Sequence, residues 1–228
     1  MSGTGQVQVA IVDYGMGNLF SVKQACEHVG MQASITASAD EILAADAVIL
    51  PGVGAFGDAM AALTRLGVVE VLLEVAGSGR PLVGICLGMQ LLMTESHEFG
   101  HHKGLGLIEG EVVRFEAPRS CSTTLKVPQV GWNRIVVTGS GSWKSSCLEG
   151  LRDGEFMYFV HSFYAKPIDT SVVLATSRYG HIEFCSSLRR ENIFGCQFHP
   201  ERSGPRGVLI YRNLSMQIQR SSLEAPRV

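Results

Sequence analysis

This chain of 228 residues has no long hydrophobic run, no excess of either charge and no paired cysteines. The longest apolar stretches, Ala47 to Phe56 and Pro81 to Met89, are interrupted by Pro or Gly. Both fall short of the roughly 18 residues that a membrane span needs. Lysine and arginine number 19 against 21 acidic residues, a net charge of −2, so no basic field is offered to nucleic acid or anionic lipid. The N-terminal MSGTGQVQVAIVDYG lacks a basic stretch ahead of its apolar run, and Asp13 breaks that run. Neither a signal peptide nor a targeting helix is therefore expected, and the expected location is the cytoplasm. Six cysteines (Cys26, Cys86, Cys121, Cys147, Cys185, Cys196) are scattered without a C-x-x-C pair, which argues against a zinc cluster or a disulfide framework. With 46% hydrophobic and 18% charged residues the chain is no candidate for disorder, and its length suits one domain.

What is present is a βαβ rhythm. Strand-length apolar runs alternate with helical patterns over Val7 to Val12, Leu19 to Val29, Gln32 to Thr36, Ala47 to Leu50, Asp58 to Leu66, Leu82 to Cys86 and Met89 to Thr94. Runs such as AVIL and PLVGI lack polar alternation, which implies parallel strands covered on both faces. From Leu107 onward the pattern becomes strand-rich: VVRF, RIVV, MYFVHSFY, SVVLAT, HIEFCSSL and IFGCQF, then one helical stretch over about Val208 to Gln219. These later strands are expected to extend the same sheet. The fold class is therefore α/β: a single three-layer domain with a mixed, mostly parallel sheet and helices on both faces. Residues 221–228 are expected to fray. The Gly139 to Gly154 segment carries no recognisable motif.

The segment PLVGICLGMQ reads as a buried strand turning directly into a helix, with Cys86 at the corner between Gly84 and Gly88. Small residues two before and two after are what a nucleophile elbow requires, because strand and helix pass too close there for side chains. A thiol at a helix start feels the positive end of the dipole, which favours the nucleophilic thiolate. On its own, G-x-C-x-G reads equally well as a packed core cysteine. A base is supplied by GCQFHPER, where Pro200 biases His199 toward extended geometry. His199 and Glu201 then present an imidazole and a carboxylate to one spot, the carboxylate fixing the tautomer. In isolation that tripeptide reads as a surface turn; beside the elbow it reads as base and orienter. Acyl transfer also needs oxyanion donors. The N–H of Leu87 and the glycine-rich turn at Gly52 and Val53, after the strand AVIL, are the candidates, and that turn reads as well as an ordinary βα connection.

Two patterns point elsewhere. His97-Glu98-Phe99-Gly100-His101 fits the zinc-peptidase sequence H-E-x-x-H, but Gly100, Gly104 and Gly106 argue against the helix that would bring both imidazoles to one face. Asp13 to Asn18, DYGMGN, has Phe20 where a dinucleotide fingerprint needs its third glycine, and reads as a turn with Asn18 capping the next helix. No metal and no cofactor is expected.

With GICLGMQ, FHPE and PGVG present together, the chain resembles the class I (triad-type) glutamine amidotransferases over nearly its whole length, as one such domain over residues 1–220. DYGMGN, PGVGAFGDAM, KGLGLIEG, PQVGWN, YFVHSFY and FHPERSG resemble, within that superfamily, the glutaminase subunits of imidazole glycerol phosphate synthases in histidine biosynthesis. The resemblance implies hydrolysis of glutamine to glutamate, with Cys86 attacking the side-chain amide, His199 relaying protons and Glu201 orienting His199. It implies Gln90, the backbone of Ser162 and Phe163, and Glu98 as glutamine-binding groups, Glu98 facing the α-amino group. It implies a heterodimer in which ammonia passes to a cyclase subunit making imidazole glycerol phosphate and an aminoimidazole carboxamide ribonucleotide. Asn18, Trp132, Asn133 and Arg202 are then partner-facing, although Trp132 reads as well as a core aromatic. Arg202 departs from the family's lysine, which keeps the charge and changes the contact geometry. A glutaminase serving another synthase keeps the same elbow and base; DYGMGN and GWN argue against it.

Overall fold

The structure is a computed structural model, which describes residues 6–121, 123–139 and 141–224. Its first half runs β1 (Gln8–Val12), α1 (Leu19–His28), β2 (Gln32–Thr36), α2 (Ala39–Ala44), β3 (Ala47–Gly52), α3 (Phe56–Arg65), α4 (Val68–Gly77), β4 (Leu82–Cys86) and α5 (Leu87–Leu91). There follow β5 (Met93–Ser96), β6 (His102–Lys103), β7 (Ile108–Arg114), β8 (Arg119–Ser120), β9 (Thr123–Thr124), β10 (Gln129–Val137) and β11 (Glu155–His161). The chain ends with β12 (Phe163–Pro167), β13 (Val173–Tyr179), β14 (Ile182–Arg190), β15 (Ile193–Cys196) and α6 (Gly204–Glu224).

Among the described residues nine strands form the main sheet, in the order β11-β10-β13-β14-β15-β4-β3-β1-β2. Pairing from β15 through β4, β3 and β1 to β2 is parallel, and the other half is antiparallel. The parallel half is sandwiched. Along β1, Val9 and Ile11 pack with α1 and α6, whereas Ala10 and Val12 pack with α2, α3 and α4. That is the strand's period of two expressed as two cores. Every residue of β3 and β4 is buried, which accounts for their unbroken apolar sequence. Each fully buried Leu or Ile there contributes about 1.5–3 kcal/mol.

Four sequence expectations change. The Met89 to Thr94 helical pattern breaks: α5 stops at Leu91, and Met93 begins a strand whose pairing with Ile108 replaces another helical turn. The strands after Leu107 do not all join one sheet, since β7 and β12 pair with β5 and β6 in a separate four-stranded sheet. MYFVHSFY is accordingly not one strand; it divides at Ser162 between the two sheets, β11 pairing with β10 and β12 with β7. Asn18 occupies the N-cap position of α1 but makes no side-chain capping bond; the turn before it is closed by Asp13, whose carboxylate accepts from Gly15 N. In addition, α4 (VVEVLLEVAG), rich in β-branched residues, is helical because one face packs onto the sheet. α6 runs to Glu224, and residues 225–228 of the expected frayed tail lie outside the described residues. No helix among the described residues is long and apolar enough to cross a membrane.

Candidate active site

Parallel strands place their loops at the carboxyl edge, where open α/β sheets carry their sites. At that edge Gly52 and Cys86 are register partners at the ends of β3 and β4. Cys86 has φ 56° and ψ −110°, a backbone region that side chains avoid, and it sits at the N-cap of α5. The flanking glycines are steric necessities. A Cβ on Gly88 would lie 1.7 Å from Leu50 O, and one on Gly84 would lie 2.8 Å from the backbone of Gly88.

His199 lies beyond the end of β15, and its Nδ1 meets Glu201 Oε1 at 2.8 Å, both side chains being buried. The route to that contact differs from the one read in the sequence. Pro200–Arg202 is a turn of 3-10 helix closed by Arg202 N donating to His199 O, so the turn, not an extended strand, brings the carboxylate under the ring. His199 N donates to Tyr158 O, and Ser203 Oγ donates to His199 O, which fixes the backbone on both sides. Burial pushes the imidazolium toward neutrality, but the Cys86 sulfur and the Glu201 carboxylate outweigh it and raise the pKa to about 10. His199 Nε2 is buried without a hydrogen-bond partner in the chain.

Cys86 opens onto a cavity of about 350 Å³, which is lined also by Val53, Gly54, Leu87, Gln90, Glu98, His161, Ser162 and Phe163. Gly52 itself does not line it; that residue is packed under Tyr14 Oη and Leu87. Gln90 Nε2 donates to Phe163 O at 2.8 Å and to Gln197 Oε1 at 2.9 Å, so only its oxygen is left for a ligand. The Ser162 carbonyl accepts from Phe115 N. Glu98 is buried with Oε2 accepting from Phe56 N, the first residue of α3. Burial raises its pKa against the opposing pull of that N–H and of His102.

The remaining sequence-selected residues separate. The His97 to His101 segment is a loop between β5 and β6, so its imidazoles do not share a helix face. His101 Nε2 instead lies 2.7 Å and His97 Nε2 3.9 Å from the Glu95 carboxylate, while Glu98 turns into the cavity. Trp132 is 56% exposed, which excludes the core-aromatic reading; it stands edge-on to Tyr158, over whose ring the Arg202 guanidinium also lies. Asn133 is on the opposite face of β10, its Nδ2 donating to Arg178 O. The sequence reading missed Gln197 and His161. Gln197 stands two residues before His199, and the period of two that places alternate side chains together was the signal for it.

The chain matches the family model for glutamine amidotransferase class-I over residues 10–217. It belongs to the class I glutamine amidotransferase family. More narrowly, it is 48% identical over 209 residues to the imidazole glycerol phosphate synthase subunit HisH of Geobacter metallireducens, covering 91% of this chain and 97% of that protein. It is also 48% identical to the HisH subunit of Syntrophotalea carbinolica, over 90% of this chain and 98% of the relative. Among solved structures, PurLQS from Thermotoga maritima superposes with a TM-score of 0.68 at 20% identity, covering 95% of this chain and 99% of that one, which speaks for the fold.

Proposed function

We propose that this chain is the glutaminase subunit of an imidazole glycerol phosphate synthase. The observation that carries the reading is a cysteine in a strained elbow, open to a cavity, whose sulfur lies close enough to a buried imidazole–carboxylate pair to raise the pKa of the imidazole. The Cys86 sulfur attacks the side-chain carbonyl carbon of L-glutamine, and His199 delivers a proton to the departing nitrogen. Ammonia leaves and a thioester remains. Water, deprotonated by His199, then attacks that thioester, releasing glutamate and restoring the thiol. Glu201 holds the ring in the tautomer that turns Nε2 toward sulfur. The N–H groups of Leu87 and Val53, in the Gly52-Val53 turn, stabilise the tetrahedral oxyanion. Glu98 receives the α-ammonium, Gln90 and the Ser162–Phe163 wall hold the rest of the substrate, and no metal or cofactor takes part.

The HisH relatives are subunits of a synthase, so the ammonia formed here is passed to a cyclase in a cytoplasmic heterodimer. The exposed Trp132, the cation–π pair of Arg202 with Tyr158, whose carbonyl accepts from His199 N, and the Asn18 turn are offered as its docking surface. The deciding experiment measures glutamate release by the purified chain with and without a cyclase subunit and its nucleotide ligand, alongside complementation of a histidine auxotroph. Failure of the chain to restore growth, with glutamate release unaffected by any cyclase, would reject the assignment.

A further inference from the structure

Four buried side chains and backbone groups outside the imidazole–carboxylate pair form a continuous hydrogen-bonded path to the Cys86 sulfur. His161 Nδ1 and Gln90 Nε2 both bond to the Phe163 carbonyl at 2.8 Å. Gln90 Nε2 also bonds to Gln197 Oε1 at 2.9 Å, and Gln197 Nε2 reaches Cys86 Sγ at 3.6 Å. The orientation of every amide in this path follows from its first member. A carbonyl oxygen only accepts, so His161 carries its proton on Nδ1 and Gln90 turns its NH2 to Phe163. The second hydrogen of that NH2 then requires an acceptor, which obliges Gln197 to present its oxygen to Gln90. Gln197 is left with its NH2 against the sulfur. Gln197 is fully buried, and a buried carboxamide is costly unless both ends are engaged, as they are here.

We infer that Gln197 is a positioning residue for the nucleophile: its N–H donor, aimed by the Phe163 carbonyl through Gln90, holds the Cys86 sulfur and favours its thiolate. The wall of the substrate cavity and the reacting atom are thereby one hydrogen-bonded unit. His161 completes it from the other side of Phe163, enclosed by Phe115, Phe159 and Phe184. Burial holds its pKa down at about 4, so its ring stays neutral, with Nδ1–H donating to the Phe163 carbonyl, across the physiological range. Packing alone would be met by any side chain of the same volume. A donor against sulfur predicts a change in thiolate formation when the donor is removed.

The inference rests on Cys86 being the nucleophile, and the test separates the two. In Gln197→Met, which keeps the length and removes donor and acceptor, iodoacetamide modification of Cys86 is followed across pH by peptide mass spectrometry, together with glutaminase kcat and KM in the complex. The expected result is that half-maximal modification moves about one unit toward higher pH and kcat falls about tenfold, the scale of one hydrogen bond to a charged group. KM for glutamine changes by less than kcat. Gln197→Glu keeps the acceptor for Gln90 and sets a carboxylate against sulfur; it shifts the modification profile further in the same direction and decides the matter if Gln197→Met does not fold. Folded variants whose profile and kcat match the unaltered protein overturn the inference while leaving Cys86 as nucleophile. A Cys86→Ala chain that still releases glutamate at the full rate overturns both.

Discussion

Glu98 and Phe56 are 42 residues apart, yet the Glu98 carboxylate accepts a 2.6 Å hydrogen bond from Phe56 N at the start of α3. The helix start thereby holds one carboxylate oxygen, and the group faces the cavity that Cys86 opens onto. Because burial raises the Glu98 pKa above the ordinary carboxyl range, its charge is lost at a less acidic pH than that of an exposed glutamate. Glu98→Gln keeps the bond to Phe56 and removes the charge. KM for glutamine should rise by roughly 10-fold or more with a smaller change in kcat, as expected for a lost charge-assisted contact. In the unaltered protein KM should climb as pH falls, and a flat KM in Glu98→Gln over the same range is the check. Equal loss in kcat and KM effects would place Glu98 elsewhere in the reaction.

Replacing Glu201 by Gln leaves a hydrogen-bonding group 2.8 Å from His199 Nδ1 but removes the carboxylate that helps hold the imidazolium. The Cys86 sulfur then opposes burial alone and the His199 pKa falls, so the alkaline limb of the kcat profile should move to lower pH. The rate should fall by roughly 10- to 100-fold, the value of a charged hydrogen-bond partner. Steady-state kinetics across pH 6 to 10 measure both, and an unmoved alkaline limb would mean that Glu201 serves the fold rather than the base.

Cys86, His199 and Glu201 were legible in the sequence because each announces itself through local chain mechanics: glycine spacing at a tight corner, and a proline after a strand. Even there the local geometry was read imperfectly, since a 3-10 turn and not extended chain delivers Glu201. Gln197 was within reach of the same period-two argument that grouped its neighbours. His161 and the Phe56 N–H were not, because their meaning depends on β11 and β12 parting at Ser162 into different sheets and on a loop crossing to α3. Likewise α4 and the early end of α5 follow from sheet packing and strand pairing that no short window contains.

The elbow carries a strain that two inactive variants can isolate. Cys86→Ala and Cys86→Gly both lose the sulfur, and they differ at this position only by a Cβ held at φ 56° and ψ −110°. That conformation costs a non-glycine residue about 1–3 kcal/mol, partly offset by the greater unfolded-state freedom of glycine, about 0.4–1 kcal/mol. Cys86→Gly should therefore be the more stable of the two by about 1 kcal/mol in urea denaturation. The reverse order would show that the elbow is unstrained.

His161 sets a definite acid limit on stability. Its folded pKa is lowered by burial from 6.5 to about 4, so between those values the unfolded chain takes up a proton that the folded chain refuses. Stability from this group is complete above about 6.5, declines as pH falls through the window, and changes no further below about 4. The full difference is about 3 kcal/mol, of which about 2 kcal/mol is lost by pH 5. His199 stays protonated in the folded chain and titrates near 6.5 only in the unfolded one, a contribution common to both proteins that cancels in their difference. His161→Phe suits the surrounding ring of Phe115, Phe159 and Phe184 and cannot titrate. Whatever its absolute stability, the variant should lose less Tm than the unaltered protein between pH 7 and pH 5, by roughly 4–8 °C. Parallel loss of Tm by the two proteins over that interval would show that His161 takes up its proton in the folded chain as readily as in the unfolded one.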